Sequence, residues 1–372
     1  MRLRLPPSVR FGAGSTTQLP EVVRECGMRR ALVVTDHGVL AARVVERVLD
    51  ALDVPRSVYV CGSPRAPEVA GCRDALDVPH AAFISGAASA VEVTACRDAL
   101  PGHDGVIAVG GGSVIDVAKA AIALHGSEEP LESLYGLEQA KGPALPLVAV
   151  PTTPGSGGEV SSHAVVTDGH HRHAISGASL VPRAVVIDPD LTTTLPHSAM
   201  LACALDALMH GAEAYLARAA TPFSDALALP GVERVVTSLR SEDRGELSAG
   251  CLQANLAMAQ ANAGLVHALG YPLTQRYGIP HGIANVVVAP AVLRASRHVQ
   301  EQRDADLASC FGASDFADGL TTLLDQLGVR QSFPVDDADE LAADALNYGP
   351  VRENWRFAAT KDDIAAMYRC AA

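Results

Sequence analysis

Near residue 190 the hydrophobic pattern of the chain changes period, and this change limits the fold more than any other feature. Before it, short apolar runs alternate with helical segments. Ala31–Asp36, Ser57–Cys61, Ala81–Ser85, Gly105–Val109 and Leu147–Val150 read as strands, with helices through Val39–Leu52 and Val114–Leu124. Such continuous apolar runs suit strands buried on both faces, as in a parallel sheet flanked by helices. Beyond it the strand pattern fades. Ala/Leu-rich segments at helical spacing cover 198–219, 224–240, 246–269, 281–296, 315–327 and 336–347. The expected architecture is an α/β domain with a parallel sheet over 1–190 and an all-helical domain over 191–372. A length of 372 residues, more than one core usually serves, agrees with two domains.

Within the first domain, block 51–74 is repeated as 75–98 without a gap, at about half the positions identical. Each copy reads as one strand–turn–helix unit. It is either an extra βα element beside the sheet or a tandem duplication that the fold tolerates.

The formal net charge of −13 argues against a broad nucleic-acid footprint, though not against small anionic ligands held by local donors. No apolar core follows the arginines of Met1–Pro7, and no run approaches a membrane span. The eight cysteines are scattered and form no CxxC pair, which reads as reduced thiols. A cytoplasmic protein with no membrane or nucleic-acid partner is expected.

Two constellations carry chemistry. Asp206 and His210 lie four residues apart in a helical segment, so both side chains leave one face about 6 Å apart. An ordinary Asp–His pair explains that spacing as well as a metal site does. His267 lies near the end of the next long helical run, and His281 follows Pro280 at the start of another. Each alone reads as a packed or capping residue. Together the four offer one carboxylate and three imidazoles, a set that suits Fe²⁺ or Zn²⁺ better than Mg²⁺ or Ca²⁺.

The second constellation is Gly110-Gly-Gly-Ser113, which follows a strand and opens a helix. Backbone N–H groups there can cradle a pyrophosphate at the positive helix end, although the sequence is not a GxGxxG fingerprint. Pro151-Thr-Thr-Pro-Gly-Ser-Gly-Gly158 supplies a second such loop with hydroxyls. Asp36 ends the first strand of the alternation, where a carboxylate can accept from a ribose diol and repel a 2′-phosphate, favouring NAD over NADP. A plain strand-end turn residue is the competing reading.

These residues, with Phe11-Gly-Ala-Gly14, Ala108–Lys119, Ile187-Asp-Pro-Asp-Leu191, Asp206–Glu213 and Ser224–Leu229, resemble the iron-containing (group III metal-dependent) alcohol dehydrogenases over most of the chain. The resemblance implies an N-terminal dinucleotide-binding α/β domain and a helical C-terminal domain. It implies NAD(H)-linked hydride transfer between nicotinamide and a carbonyl carbon, with the metal polarising the oxygen. It also implies metal ligands at Asp206, His210, His267 and His281. Cofactor positions are implied at Asp36, Gly111, Gly112, Ser113, Asp116, Thr152, Thr153, Ser156 and Ser161.

Departures from the family pattern narrow this. Many members have a histidine where this chain has Tyr271, a residue expected to donate a hydrogen bond or proton near the substrate oxygen. His267–Gly282 is similar to the branch that reduces phosphonoacetaldehyde to 2-hydroxyethylphosphonate, which points to phosphonate metabolism. A phosphonate needs nearby cations or N–H donors. Arg276 is the candidate substrate contact, with Arg172 and His173 in an expected hairpin, although each also reads as a solvated surface group. Maleylacetate and short-chain alcohols or diols are alternative substrates. A dehydroquinate synthase-like cyclase is a further alternative, disfavoured because such enzymes prefer a Glu/His/His ligand set. A homodimer is expected.

Overall fold

The computed structural model of the chain describes residues 3–61, 88–142, 144–169, 171–329 and 332–371. The chain divides into two units, Met1–Leu195 and Pro196–Ala372. The first unit runs a few residues past position 190 because Leu191, in the turn after the last strand, is buried in its core.

The strands of the first unit are β1 (Ser8–Phe11), β2 (Ala31–Asp36), β3 (Arg56–Cys61), β4 (Gly105–Gly110), β5 (Leu147–Pro151), β6 (His163–Asp168), β7 (His171–Ser176) and β8 (Ala184–Ile187). Six form one sheet in the order β1-β8-β5-β4-β2-β3, every pair parallel. β6 and β7 form a separate antiparallel hairpin, in which Val166 pairs with His173 and Thr167 with Arg172.

The helices of this unit are α1 (Leu19–Glu25), α2 (His37–Ala41), α3 (Val44–Ala51), α4 (Ala90–Ala99) and α5 (Gly112–Leu124). Strand residues alternate between two cores. Leu32, Val34, Val106, Ala108, Leu147 and Ala149 pack on one side with α4 and α5. Ala31, Val33, Ile107, Val109, Val148 and Val150 pack on the other with α1 and α3. Burial on both faces is why these strands read as unbroken apolar runs.

The expected helix through Val39–Leu52 is in fact two, since Arg43 adopts φ 55° between α2 and α3. Of the repeated blocks, β3 comes from the first copy and α4 from the second. The expected strand Ala81–Ser85 and the remainder of 62–87 lie outside the described residues, as do His170 and Cys72. The cysteines within the described residues are all free thiols.

Phe11-Gly-Ala-Gly14 and Ile187–Leu191 meet in this unit. Asp188 accepts from Gly14 N (3.0 Å), Thr16 N (3.1 Å) and Thr16 Oγ1 (2.6 Å). One buried carboxylate thus locks the end of β8 to the turn after β1.

The second unit consists of α6 (His197–Leu216), α7 (Pro222–Ser241), α8 (Arg244–Ala261), α9 (Leu265–Tyr277), α10 (His281–Ser296), α11 (Glu301–Phe311), α12 (Phe316–Gln326), α13 (Ala338–Ala345), α14 (Gly349–Glu353) and α15 (Lys361–Ala371). The helical segment expected over 246–269 is interrupted. Asn262 takes φ 65° at the end of α8, and Gly264 starts α9. His267 therefore stands in the first turn of a new helix, not near the end of a long one.

Two glycines allow the helices that carry the histidines to approach closely. A Cβ on Gly270 would lie 1.9 Å from Asn285 Oδ1, and one on Gly282 would lie 1.9 Å from Ala202 O. No helix among the described residues is long and apolar enough to cross a membrane.

Candidate functional site

In the helical unit, α6 carries Asp206 and His210 one turn apart, α9 carries His267, and α10 begins with His281. Ligand atoms of Asp206, His210 and His267 all lie within 4.8 Å of one another. Asp206 Oδ1 is 3.4 Å from His267 Nε2, and 3.9 Å from both His210 Nε2 and His281 Nε2. One carboxylate oxygen thus faces three imidazole nitrogens.

The outer nitrogens of the two buried histidines are committed elsewhere. His210 Nδ1 meets Asn255 Oδ1 at 3.0 Å, and His267 Nδ1 meets Glu213 Oε2. Both partners are acceptors, so each Nδ1 carries a proton, and an ion binding at Nε2 would displace any second proton held there. Glu213 is itself fully buried and also accepts from Val266 N at 2.7 Å. Asn285 Nδ2 donates to Asp206 Oδ1 at 2.9 Å.

Charge and burial act against each other here. Burial would raise the Asp206 pKa, but the nearby His210, His281 and His267 outweigh it and hold the carboxyl well below its usual range. For His267, burial acts downward, but Glu213 and Asp206 overcome it and push the imidazole up to about 10. Burial wins at His210, whose pKa falls.

His267 Nε2 is buried and has no hydrogen-bond partner. An orphaned imidazole nitrogen facing a carboxylate oxygen is the observation that a divalent cation would explain. The donor set of one oxygen and three nitrogens fits a borderline ion.

In the α/β unit, the chain runs outward from β2 to β3 on one side and from β4 to β5 on the other, so the strand order reverses between β2 and β4. In open α/β sheets the crevice at such a reversal receives ligands. Gly111 caps α5 and Gly112 opens it, directly after β4. The loop after β5 lies against them. A Cβ on Gly111 would be 3.3 Å from Thr153 Oγ1, and one on Gly112 would be 2.6 Å from Ser156 Cβ. Thr152 N donates to Gly110 O at 3.1 Å, and Ser113 is exposed. The structure thus brings Gly111, Gly112, Ser113, Thr152, Thr153 and Ser156 to one end of the sheet. Asp36 ends the adjacent β2 and caps α2, accepting from Val39 N at 2.9 Å.

Asp116 and Ser161 have other engagements. Asp116 Oδ2 accepts from Val165 N (3.1 Å), while Ser161 O and Oγ accept from the buried Lys119 Nζ (2.7 and 3.3 Å). Both help to tie α5 to β6.

Tyr271 stacks on His281, with ring centroids 4.9 Å apart at 9°, and meets His267 edge-on at 6.2 Å. Its ring thus packs beside two of the four expected ligands. Arg276 is engaged within the helical unit. Its guanidinium pairs with Glu340 and Asp344, each at 2.7 Å, so a substrate anion would have to compete with two carboxylates for it. His173 stacks on Tyr135 at 4.1 Å in the α/β unit.

Sequence reasoning gave no role to Glu213, Asn255 or Asn285. Glu213 had a usable signal, because it follows His210 by three positions in an Ala/Leu-rich helix and shares its face.

The comparisons with known proteins agree with this geometry. The family described as iron-containing alcohol dehydrogenase matches residues 6–189, and the C-terminal Fe-containing alcohol dehydrogenase family matches residues 200–372. The 4-hydroxybutyrate dehydrogenase of Cupriavidus necator is 33% identical over 367 residues, covering 90% of this chain and 90% of that protein. The crystal structure of a 1,3-propanediol oxidoreductase superposes with a TM-score of 0.86 at 26% identity, covering 100% of this chain and 99% of that one. A sulfoacetaldehyde reductase from Bifidobacterium kashiwanohense, solved in complex with NAD⁺, has the same fold, with a TM-score of 0.84 at 24% identity and coverage of 100% and 98%. An open parallel α/β sheet, a helical unit with a buried Asp/His cluster, and a family match to each unit lead to one conclusion: the chain is an oxidoreductase of the iron-containing alcohol dehydrogenase family.

Proposed function

We propose that the chain reduces a small polar aldehyde that carries a terminal anion, using NADH and a divalent ion held by Asp206, His210, His267 and His281. The carrying observation is the single Asp206 oxygen facing three imidazole Nε2 atoms at 3.4–3.9 Å. Iron is the ion in keeping with the family, and Zn²⁺ suits the same donors.

When bound, the ion acts as a Lewis acid on the substrate oxygen and the nicotinamide supplies the hydride. The chain's own residues do the rest. Glu213 and Asn255 fix the tautomer of two histidines, and Asn285 orients the aspartate. Tyr271 lies beside His281 and His267, where its phenol serves as hydrogen-bond donor to the substrate oxygen. In the α/β unit the N–H groups of Gly111, Gly112 and Ser113, with the hydroxyls of Thr153 and Ser156, hold the pyrophosphate. Thr152 fixes the loop, and Asp116 and Ser161 support it through the hairpin. The Asp36 oxygen not used for capping receives the ribose diol, favouring NAD(H) over NADP(H).

The anionic class of substrate is supported by the 4-hydroxybutyrate relative, whose named substrate carries an acid at the far end of a short chain. Phosphonoacetaldehyde belongs to the same chemical class, but its phosphonate would have to compete with Glu340 and Asp344 for Arg276. An aspartate as first ligand favours a reductase over a cyclase.

The test is NADH oxidation by protein loaded with Fe²⁺ or Zn²⁺, against phosphonoacetaldehyde, succinic semialdehyde, maleylacetate, lactaldehyde and simple alkanals. Turnover of the anionic short aldehydes at the highest kcat/KM is expected. A preference for alkanals would reject the substrate class, and no NADH consumption with any of them would reject the reaction. Repeated with Tyr271→Phe, kcat/KM should fall about tenfold or more. An unchanged pH profile would reduce Tyr271 to packing.

A further inference from the structure

His281 is the most open of the four proposed ligands, with 23% of its side chain exposed against 13% for Asp206, 7% for His210 and 2% for His267. It is the first residue of α10, entered from Pro280, where the backbone leaves the helical ladder on one side. Three rings make a column at this place. Tyr271 lies flat against His281 at 4.9 Å, and Tyr348 packs on Tyr271 at 4.6 Å with a 38° tilt. Thr274 Oγ1 approaches His281 Nδ1 at 3.4 Å.

The outermost ring comes from a distant segment. Tyr348 sits between α13 and α14, with its N–H donating to Ala345 O (3.2 Å) and its carbonyl accepting from Arg352 N (3.0 Å). α13 is in turn fastened to α9 by Arg276, through Glu340 and Asp344, and by Tyr277, whose hydroxyl donates to Asp337. The ion pairs of Arg276 thus hold α13, which leads into Tyr348, against α9.

We propose that Tyr348 is a positioning residue for the metal centre. Through Tyr271 it holds the His281 ring with Nε2 toward Asp206, so that this ligand loses little rotational freedom when an ion binds. The proposal rests on the four-ligand reading above. It adds a residue from the C-terminal part of the chain that acts through Tyr271. An imidazole already held in its binding orientation gives a tighter site than one that must be ordered on binding.

The experiment measures Zn²⁺ affinity by competition with a chromogenic chelator, using full-length wild type, Tyr348→Ala, Tyr348→Phe, Tyr348→Leu and His281→Ala, with folding checked by far-UV circular dichroism. Tyr348→Ala should bind Zn²⁺ about tenfold more weakly. Tyr348→Phe keeps the ring and should stay within about twofold. His281→Ala should be weakest. Co²⁺ loading gives an independent reading, since a loosened fourth ligand lowers the visible ligand-field absorption of Tyr348→Ala but not of Tyr348→Phe. If Tyr348→Ala fails to fold, Tyr348→Leu, which keeps apolar bulk without a flat ring, is read in its place with the same expectation. Wild-type affinity in that variant, with His281→Ala weakened, overturns the positioning role alone. Wild-type affinity in His281→Ala overturns the ligand assignment beneath it.

Discussion

Glu213 and His267 form a buried carboxylate–imidazole pair in the helical unit. The carboxylate is fully buried and holds the His267 ring by its Nδ1, stabilising the proton there. Glu213→Gln keeps the shape but removes the charge that fixes the His267 tautomer. Metal affinity should fall about 10–100-fold while the fold survives, as read by Zn²⁺ competition and a thermal melt. His267→Ala should abolish tight binding outright, and a variant that keeps wild-type metal content would remove His267 from the site. At this scale the sequence was only partly legible. Asp206 and His210 disclose themselves by helical spacing. His267 and His281 gain meaning from the family pattern, because nothing local joins them to α6. Asn255 and Tyr348 carry no spacing signal at all, since their contacts come from helices packed far along the chain. The two carboxylates that pair with Arg276 lie on α13, out of view of any local reading.

The connection between α5 and the β6–β7 hairpin depends on a buried lysine. Lys119 is 1% exposed, and its ammonium donates to Ser161 O (2.7 Å) and His163 O (2.9 Å), while Asp116 receives Val165 N. Burial pushes Asp116 up to about 6 against the pull of Lys119, and pushes Lys119 down to about 8 against Asp116 and Glu159. The signs follow from proton counting. Between pH 3.8 and about 6 the folded Asp116 keeps a proton that the unfolded chain has released, so its contribution to stability falls as pH rises. Between about 8 and 10.5 the folded Lys119 has lost a proton that the unfolded chain still holds, so its contribution rises with pH. Thermal melts of Asp116→Asn/Lys119→Met should therefore be flatter than wild type in both windows. Lys119→Met alone, which leaves Ser161 O and His163 O without their donor, should cost about 1–3 kcal/mol, and a near-neutral result would show that the lysine is dispensable. Strand positions were readable here because two-sided burial leaves an apolar run. The break between α8 and α9 was not, because Asn262 and Gly264 sit in an otherwise uninterrupted periodic segment.

At the scale of the whole chain, the change of period near residue 190 was enough to separate a parallel-sheet unit from a helical one, since burial geometry imposes the period directly. Residues inside the repeated blocks could be aligned but not assigned a role, because self-similarity fixes no partner. Ligand binding should act on each unit through its own site. Zn²⁺ at a hundredfold over its Kd adds about 2.7 kcal/mol to the folded state. Hydrogen exchange followed by mass spectrometry should then slow in α6, α9 and α10, and chelation should reverse it. Slowing confined to other helices would place the ion elsewhere. The interruption at Asn262–Gly264 has a temporal consequence. Asp206 and His210 come together as soon as one helix forms, but His267 belongs to a separate helix that must start anew after the break, and His281 to the one after that. During synthesis the first two donors meet the others only once both later helices have emerged and docked. On the proposed four-ligand reading, a complete donor set is a late product of folding, and a chain that presents it has already assembled three helices.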